Sequence, residues 1–448
     1  MPFTDRFPLL TDSGARLLRK LEDHPCAPRY THPGVNRLTR AGLERAREFA
    51  VELQSLPSWQ PGQVPAWLVE FVEHCYREVP LYRRDGPAPR NFFDIPTTDR
   101  ADLHREPWAF VPDSQPLDNL VVYNTSGTTG HPLDILTHAD TLAFYIPLLR
   151  AALARYNISL DGGPDRVALA LVCYQKRTYT YAAVTPLLAD AGFVKVNLNP
   201  AEWRAPADRA EFLDDYAPEI YTGDPLAFNE LAQLPIANSP KALVSTAMTL
   251  TSGLKRALEQ RFACPVIDVY SLNESGPLGV ADLDGSAYLL LQPRLYVEIL
   301  DPDGAPCPPG VRGEIILSGG FNPFLPLLRY RTGDYAALEW RGSQPTLTQL
   351  AGRPPVIFRA TDGRFINNID IAIALRPLPL AQYTLHQSAN GSLTLRVHGA
   401  DPLDAIRAAV LELFGADQRL SLEALDPFTP PAGKLVQFTS ALSIEEGH

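Results

Sequence analysis

The sequence has few cysteines and no apolar run long enough to cross a membrane. Its five cysteines, among 448 residues, form no Cys-x-x-Cys pair, so neither a disulfide framework nor a zinc cluster is expected. No apolar run reaches the roughly 18 residues that a membrane-spanning helix needs. Residues 1–20 include Asp5, Arg6 and Asp12 and lack the apolar segment of a signal peptide. These absences predict a cytoplasmic protein with reduced thiols and no membrane association.

Positive charge is scarce as well. The net charge is −11 and no basic stripe is visible, so nucleic acid is not an expected partner. A negatively charged substrate would therefore need locally placed arginine, lysine, metal or backbone N–H groups. Internal repeats and low-complexity tracts are also missing. What the chain has instead is an ordinary globular composition, 45% hydrophobic, and 43 prolines, which predict many ordered loops and short elements.

Strand-like and helical segments alternate between residues 120 and 280. Apolar strand-like runs are expected at Leu120–Asn124, Val167–Cys173, Phe193–Asn197, Glu219–Thr222, Ala242–Thr246 and Val266–Tyr270. Helices are expected at Thr141–Arg155, Ala182–Ala191, Pro206–Tyr216, Pro225–Ala232 and Thr251–Arg261. This alternation predicts a parallel sheet covered by helices, with ligands at the carboxyl ends of its strands. The loops Asn124–Gly130 and Ser271–Gly276 both follow strands directly, so we expect them to face one crevice.

The remaining segments complete the domain organisation. Residues 1–115 are expected to be mostly helical, with helices at Ala41–Leu53 and Pro65–Glu78. Residues 281–350 carry apolar runs separated by turn residues, which predict antiparallel strands. A segment rich in proline, glycine and charge precedes a small α+β domain. The predicted boundaries are a large N-terminal domain at 1–351, a hinge region at 352–364 and a small C-terminal domain at 365–448.

Residues 123–132 read Tyr-Asn-Thr-Ser-Gly-Thr-Thr-Gly-His-Pro and form the most informative segment. A strand that breaks into a Ser/Thr/Gly loop offers free backbone N–H groups and hydroxyls to an anion. Glycine lets that backbone approach a phosphate without a side-chain clash. The loop is not a Walker A motif, because no Gly-Lys-Ser/Thr follows at the required spacing. The alternative interpretation is an ordinary polar turn.

This loop resembles the phosphate loop of the adenylate-forming superfamily, which joins carboxylic acids to AMP. Further segments resemble motifs of that superfamily in the same order along the chain. They are Tyr270–Glu274 for Tyr-Gly-x-x-Glu, Gly313-Glu314 for Gly-Glu, Arg329–Asp334 for the ribose-binding motif, Gly352-Arg353 for the Gly-Arg near the hinge, and Pro431–Lys434 for Pro-x-Gly-Lys. Taken alone, Asp334 would be a turn residue and Lys434 a solvated surface charge. It is the ordered set that carries the resemblance.

Within the superfamily, the chain resembles two related branches. Arg77–Arg83 and Ile95–Thr98 are similar to the opening segment of phenylacetate–CoA ligase-type enzymes. Gly130–Leu133 and Asp362–Arg364 are closer to the capsule-biosynthesis-type branch. The resemblance implies an α/β fold class. It has a large N-terminal adenylation domain with helix-covered, mostly parallel sheets and a small β-barrel-like part, plus a small mobile α+β lid domain.

The resemblance also implies roles for individual residues. The phosphates of ATP would be held by Ser126, Gly127, Thr128, Thr129 and Gly130. Other nucleotide contacts would come from Ser245, Thr246, Ala247, Tyr270, Ser271, Asn273, Asp334 and Arg353, with Asp334 on the ribose hydroxyls. Mg²⁺ would be bound by Glu274 and Thr128, because a hard cation prefers oxygen ligands. Lys434, with Glu274, is the predicted catalytic residue, since a lysine on a mobile domain can reach the reacting carboxylate and α-phosphate.

The substrate pocket is expected near residues that follow the strand Val167–Cys173. Tyr174, Lys176, Tyr179 and Tyr181 are the candidates, and they favour an aromatic acid with a second polar group. The alternative is that these tyrosines cover a helix and that the cations are solvated. Two positions depart from the pattern of the superfamily. His131 replaces a common lysine after the phosphate loop, and Pro354-Pro355 stiffens the hinge, so we expect rotation to be blocked or to pivot near Asp362-Gly363.

The predicted function is an ATP-dependent carboxylate-activating ligase. It would form an acyl- or aryl-adenylate, release pyrophosphate and pass the acyl group to CoA, to the phosphopantetheine of a carrier protein, or to another nucleophile. ATP and Mg²⁺ are the expected cofactors. An acyl carrier protein and a second copy of the chain, as a homodimer, stay open as partners. The alternative is a non-catalytic nucleotide-binding relative that serves as an assembly or regulatory partner, against which the retained Glu274, Asp334 and Lys434 argue.

Overall fold

A mixed sheet of twelve strands forms the centre of the fold. The computed structural model describes residues 6–84, 86–118, 120–124, 133–352, 356–399, 403–428 and 435–442. The strands in these residues are β1 (Leu120–Asn124), β2 (Asp134–His138), β3 (Val167–Cys173), β4 (Tyr181–Thr185), β5 (Ala191–Asn197), β6 (Ile220–Gly223), β7 (Ala242–Ser245), β8 (Val266–Leu272), β9 (Gly276–Ala281), β10 (Ala287–Leu290), β11 (Leu295–Leu300), β12 (Arg312–Gly319), β13 (Leu327–Arg341), β14 (Gln344–Gly352), β15 (Ile357–Arg359), β16 (Phe365–Asn367), β17 (Gln382–Gln387), β18 (Leu393–His398), β19 (Leu420–Ala424) and β20 (Phe438–Ser440).

Helices precede the strands of the large sheet, connect several of them and occur again in the C-terminal part of the chain. The α-helices of the described residues are α1 (Asp12–Asp23), α2 (Arg40–Glu52), α3 (Ala66–Glu78), α4 (Pro80–Arg83), α5 (Arg100–Arg105), α6 (Ala139–Leu142), α7 (Tyr145–Ala154), α8 (Asp208–Tyr216), α9 (Pro225–Gln233), α10 (Ser252–Phe262), α11 (Asn368–Leu375) and α12 (Leu403–Phe414). In the part of the chain that the structure describes, none of these helices is long and apolar enough to span a membrane.

The sheet has a parallel half and an antiparallel half. Strands β8, β7, β6, β3 and β5 are neighbours in that order and run parallel. Most of their residues are buried, as expected for strands covered by helices on both faces. From β8 the sheet continues through antiparallel neighbours in the order β9, β10, β14, β13, β12 and β11. The segment 281–350, which was predicted to form antiparallel strands, supplies β10 to β14 of this half.

Two predictions about the parallel region are wrong. Leu120–Asn124 is a strand, but β1 pairs antiparallel with β2 in a separate hairpin, outside the large sheet. The segment 182–191 was expected to be helical, yet it begins with β4, which pairs antiparallel with β5 at the sheet edge. Ala182, Ala183 and Val184 are all buried there, in one core with Leu17 and Leu21 of α1. Burial on this covered edge outweighs the helix propensity of an alanine-rich sequence.

The C-terminal lobe consists of the described residues from 356 to 442. It contains the hairpin β15–β16, a four-stranded sheet in the order β19-β18-β17-β20, and the helices α11 and α12. Phe358, Leu385 and Phe414 belong to a core that this lobe forms by itself. Strands and helices are both present here, so the predicted α/β class with a small α+β part is confirmed. The domain boundaries stay a prediction.

One set of hydrogen bonds joins the lobe to the large sheet. The Gly253 N–H at the start of α10 donates to the carbonyl of Arg376 at 3.1 Å. The Thr251 hydroxyl, which also caps α10, donates to the carbonyl of Leu380 at 3.1 Å. The Arg376 guanidinium in turn donates to the carbonyl of Gly285 at 2.7 Å. The segment 376–380 therefore lies directly against the first turn of α10.

Candidate functional site

Some of the predicted site residues lie outside the described residues. They are Ser126, Gly127, Thr128, Thr129, Gly130, Arg353 and Lys434, together with His131 and Pro354-Pro355. Their roles stay predictions. The remaining candidates are described: those for the nucleotide and the metal lie on or after β7, β8 and β13, whereas those for the substrate lie after β3 and on β4.

Tyr270 and Asp334 meet across the sheet. Tyr270 lies near the end of β8, and its hydroxyl donates a hydrogen bond of 2.9 Å to Oδ2 of Asp334 on β13. Burial, followed by the negative charge of Asp334, raises the pKa of Tyr270 well above its usual range. Asp334 is directly opposite Gly352 on β14, where a Cβ would lie 3.3 Å from Oδ1 of Asp334. The structure thus brings together two residues that are 64 positions apart.

Glu274 lies in the turn between β8 and β9 and is only 7% exposed. Its Oε1 accepts hydrogen bonds from the Arg100 guanidinium and from the Tyr330 hydroxyl, both at 3.3 Å. Arg100 begins α5, and Asp99 caps this helix by accepting from the N–H groups of Ala101 and Asp102. The sequence gave no signal that Arg100 contacts the carboxylate.

An ion pair and several hydrogen bonds fix the segment around Arg329, next to the Tyr330 that contacts Glu274. Arg329 forms a buried ion pair with Glu298 at 2.9 Å, and its guanidinium also donates to the carbonyls of Phe93 and Ile95. The backbone of Thr98 bonds on both sides of Tyr330, accepting from the Arg331 N–H at 2.7 Å and donating to the Arg329 carbonyl. Within this motif, Arg329 is therefore structural, whereas Tyr330 contacts the candidate metal ligand.

The residues predicted to lie near the adenine follow β7. Ser245 is fully buried at the end of this strand, between Gly223 of β6 and Asp268 of β8. Its hydroxyl has no hydrogen-bond partner among the residues that the structure describes. Ala247 has a φ of +70°, a left-handed conformation that turns the chain away from the sheet. Thr246 also lies in this turn, and Ser271 and the exposed Asn273 follow Tyr270.

The four predicted substrate residues do not form one cluster. Tyr174 packs against Phe428 of the C-terminal lobe, with ring centroids 4.6 Å apart. Tyr179 is 62% exposed and packs on His32, and Lys176 is exposed. Tyr181 begins β4, and its hydroxyl acts electrostatically on Tyr123, which is the residue before the end of β1. Of the four, Tyr181 alone lies in a strand.

The described residues also contain aromatic side chains that sequence reasoning missed. The rings of Tyr145 and Phe321 are in edge contact, 5.3 Å apart. Phe321 also lies over Gly276, where a Cβ would come within 2.2 Å of its ring. Gly276 has a φ of +67° and follows Glu274 by two residues. The sequence signal for this contact is a phenylalanine, Phe321, directly after Gly319-Gly320.

A tyrosine–aspartate pair next to a buried glutamate-bearing turn is what an enzyme that activates its substrate with a nucleotide is expected to have. The sequence pattern of the family described as AMP-binding enzyme matches residues 77–322, more than half of the chain. The protein therefore belongs to the AMP-binding enzyme family. This confirms the predicted superfamily.

Relatives and solved structures agree with this assignment. The chain is 26% identical to a phenylacetate-coenzyme A ligase of Aromatoleum evansii over 73% of this chain and 78% of the relative. It is 24% identical to protein CapK of Staphylococcus aureus over 37% of this chain and 38% of that protein. A crystal structure of 2-hydroxyisobutyryl-CoA ligase with 2-HIB-AMP shares the fold, with a TM-score of 0.61, 18% identity, and coverage of 92% and 90%. These findings support an adenylate-forming ligase rather than the non-catalytic alternative.

Proposed function

We propose that this protein activates a small aromatic carboxylic acid with ATP and transfers the acyl group to the thiol of CoA. The observation that carries the proposal is the contact between Tyr270 and Asp334, with Glu274 buried in the turn that follows β8. A ring beside the adenine site, a carboxylate for the ribose and a carboxylate for a cation are what a bound aryl-adenylate requires. The aromatic substrate and CoA are supported by the printed activity of the relatives, which are phenylacetate-coenzyme A ligases.

The first half-reaction joins two anions. A carboxylate oxygen of the acid attacks the α-phosphorus of ATP, the bond from the α-phosphorus to the bridging oxygen breaks, and pyrophosphate leaves with the bonding electrons. Positive charge and N–H donors must stabilise the negative charge that develops. In the proposal, Lys434 supplies the charge, and the loop Ser126–Gly130 binds the leaving pyrophosphate. In the second half-reaction the thiolate of CoA attacks the acyl carbon and AMP leaves.

The residues around Glu274 fit a magnesium ion. Within the described residues no group of three or more His, Cys, Asp or Glu side chains could hold a metal. Mg²⁺ does not need such a group, because it is usually bound by one or two carboxylates together with substrate phosphates and water. Among the described residues, the hydrogen bonds to Glu274 go to Oε1, and Oε2 is the oxygen proposed to bind the cation. When bound there, Mg²⁺ would neutralise phosphate charge.

The test is acid-dependent exchange of pyrophosphate into ATP, with the wild type and Lys434→Ala. Lys20→Ala serves as a matched control, because Lys20 makes an exposed ion pair with Asp165. We expect exchange with arylacetic or arylcarboxylic acids in the wild type and the control, and a loss of at least 100-fold in Lys434→Ala, as for the removal of one charged transition-state contact.

Adding CoA then tests the acceptor. Formation of an aryl-CoA thioester supports the full proposal, whereas acylation of a holo carrier protein but not CoA would reassign the acceptor. If the wild type binds ATP but shows no exchange with any acid, the proposed activity is wrong. Normal exchange in Lys434→Ala would keep the activity and remove Lys434 from it.

A further inference from the structure

The segment 332–334 bulges out of the ladder between β12 and β13. The step from Arg331 to Tyr335 on β13 is four residues long, yet the partners of these two residues on β12 are only two residues apart. A bulge bends its strand and changes the direction in which a side chain points. The last residue of this bulge is Asp334, the carboxylate that is proposed to hold the ribose.

Glu314 holds the bulge from β12. This glutamate is buried, its Oε1 accepts a hydrogen bond of 3.2 Å from the Gly333 N–H, and its Oε2 accepts from the guanidinium of Arg331. Gly333 has a φ of +76°, the left-handed conformation that favours glycine. A single carboxylate therefore binds the cation before the bulge and the N–H at its centre.

Further hydrogen bonds pass this restraint on to Asp334. The Thr332 hydroxyl donates to the carbonyl of Ile315 at 2.9 Å, and it accepts from the Asp334 N–H at 3.1 Å. On the side chain, Oδ2 of Asp334 accepts from the Tyr270 hydroxyl at 2.9 Å. The bulge thus fixes the backbone of Asp334, and Tyr270 fixes the direction of its carboxylate.

The glycine before Glu314 is needed to place this carboxylate. A Cβ at Gly313 would lie 2.3 Å from the carbonyl oxygen of Leu300 and 2.7 Å from Sγ of Cys307. The carbonyl belongs to the backbone of β11, so β12 would have to move away from β11 and would carry Glu314 with it. The dipeptide Gly313-Glu314 therefore acts as one unit, in which close strand packing sets the position of the carboxylate.

We infer that Glu314 is a positioning residue for the nucleotide, and that through Asp334 it makes the site select ribonucleoside triphosphates over deoxyribonucleoside triphosphates. A carboxylate selects a ribose only when it lies within hydrogen-bond distance of the hydroxyls, and a hydrogen bond weakens steeply when its geometry is poor. A bulge released from Glu314 would displace Asp334 and lower the selectivity. This inference rests on the proposed function, which places Asp334 at the ribose.

The experiment compares ATP with 2′-deoxyATP and 3′-deoxyATP in pyrophosphate exchange. We expect the wild type to prefer ATP over each deoxynucleotide by roughly tenfold or more in kcat/KM, the value of one hydrogen bond to a charged group. In Glu314→Ala, which removes both contacts of the carboxylate, the preference should fall to about threefold or less. Glu314→Gln keeps an oxygen for the Gly333 N–H but loses the charge that pairs with Arg331, so its preference should lie between the two.

The ratio between two nucleotides is the decisive quantity. Both nucleotides are measured on the same sample, so the ratio does not depend on the fraction of enzyme that is folded. A variant that only loses stability therefore keeps the wild-type ratio, whereas a variant that displaces Asp334 does not.

Glu219→Ala is the matched control, because Glu219 makes the same kinds of contact at the other end of the sheet. It is also buried, accepts from the Gly162 N–H at 2.9 Å and pairs with Lys241 at 2.7 Å. Glu219 directly precedes β6, at the amino ends of the parallel strands, whereas Tyr270 lies near the carboxyl end of β8. This variant should keep the full preference for ATP.

A preference for ATP that is unchanged in both Glu314 variants would overturn the inference, while exchange itself upholds the proposed function. A preference lost equally in Glu219→Ala would also overturn it. If Glu314→Ala does not fold, the ratio in Glu314→Gln decides. If the wild type shows no exchange with any acid, the dissociation constants of the three nucleotides replace kcat/KM. A preference that depends on Glu314 then keeps the inference and refutes only the activity, and its absence refutes both.

Discussion

The Tyr270 hydroxyl joins β8 to the carboxylate that is proposed to hold the ribose. Because burial and the charge of Asp334 raise the pKa of Tyr270, this hydroxyl stays protonated and donates at all physiological pH values. One oxygen of Asp334 is thereby fixed in direction. In the proposed nucleotide site, the ring of Tyr270 and its hydroxyl would therefore act in two ways. The ring would pack near the adenine, and the hydroxyl would orient Asp334.

Replacing Tyr270 by Phe separates the effect of the ring from that of the hydroxyl. The variant keeps the ring but removes the hydrogen bond to Oδ2 of Asp334, so we expect KM for ATP to rise by roughly five- to tenfold, the effect of one hydrogen bond, with little change in kcat. Steady-state pyrophosphate exchange at varied ATP measures both constants. Tyr288→Phe, which removes a similar hydrogen bond to Asp268, is the comparison. An unchanged KM in Tyr270→Phe would mean that the hydroxyl does not orient Asp334 for ATP.

Asp268 makes folding stability depend on pH. Burial raises its pKa to about 6, although the Tyr288 hydroxyl at 2.6 Å and the charges of Lys255 and Arg376 act in the opposite direction. An unfolded aspartate has a pKa of about 3.9, so between roughly pH 4 and 6 the folded state binds more protons than the unfolded state. The carboxyl group is therefore most stabilising below pH 4, and this contribution is lost as the pH rises through 6.

Asp268→Asn should remove this dependence. We expect the free energy of unfolding of the wild type, relative to the variant, to fall on the order of 2 kcal/mol between pH 4 and 6.5 and to stay level above that. Urea unfolding at a series of pH values gives the difference. A constant difference across the series would show that Asp268 titrates at its ordinary pKa in the folded protein.

At the residue scale, motifs indicate which side chains matter but not what they contact. Tyr270, Glu274 and Asp334 could be picked out because they occur in ordered motifs. Arg100, the partner of Glu274, could not be picked out in this way, because the two residues are 174 positions apart.

At the scale of elements, the first turn of α10 is shaped to receive the C-terminal lobe. Gly253 lies in this turn, and a Cβ there would come 2.2 Å from the carbonyl carbon of Leu378 and 2.4 Å from the carbonyl oxygen of Pro377. Neither group is the end of a flexible side chain, so the backbone itself would have to shift. The absence of a side chain is what allows the hydrogen bond from Gly253 to Arg376.

Gly253→Val should therefore separate the segment 376–380 from α10. Loss of the hydrogen bonds and the overpacking predict a destabilisation of about 2 to 4 kcal/mol, concentrated in the C-terminal lobe. Hydrogen exchange of the backbone amides in 376–399 is the measurement. Ala257→Val, at an exposed position of the same helix, controls for the cost of a β-branched residue. Equal exchange in both variants would show that the close packing seen at Gly253 does not hold the lobe.

Elements with strong local signals were predicted well, and those defined by distant packing were not. Arg40–Glu52 and Ala66–Glu78 agree with the expected helices to within a residue at each end. The failure at β4 has a clear cause, because its alanines are helix formers and only the cover of α1 and the pairing with β5 make them a strand. The pairing of β1 with β2 likewise depends on residues beyond the phosphate loop, and strand–helix alternation carries no information about it.

At the scale of the whole molecule, two bodies meet near the site. The large sheet supplies Tyr270, Glu274 and Asp334, while the C-terminal lobe touches it at the start of α10 and, through Phe428, at Tyr174. The described part of the lobe leads directly to the segment that ends at Lys434. The strand–helix alternation was enough to predict the fold class. It did not predict that the parallel strands continue into β9–β14 within one sheet.

Ligand binding should therefore couple the two bodies through Lys434. We expect a non-hydrolysable aryl-sulfamoyl adenosine to slow hydrogen exchange both in β8–β9, which are proposed to contact the nucleotide, and in the C-terminal lobe, whose Lys434 is proposed to contact the acyl phosphate. In Lys434→Ala the analogue should still protect β8–β9, but protection of the lobe should fall by roughly tenfold or more, the loss of one charge-assisted contact. Lys20→Ala should behave as the wild type, because its ion pair with Asp165 is exposed. Protection of the lobe that persists in Lys434→Ala would show that contacts such as those at Gly253 couple the two bodies without the lysine.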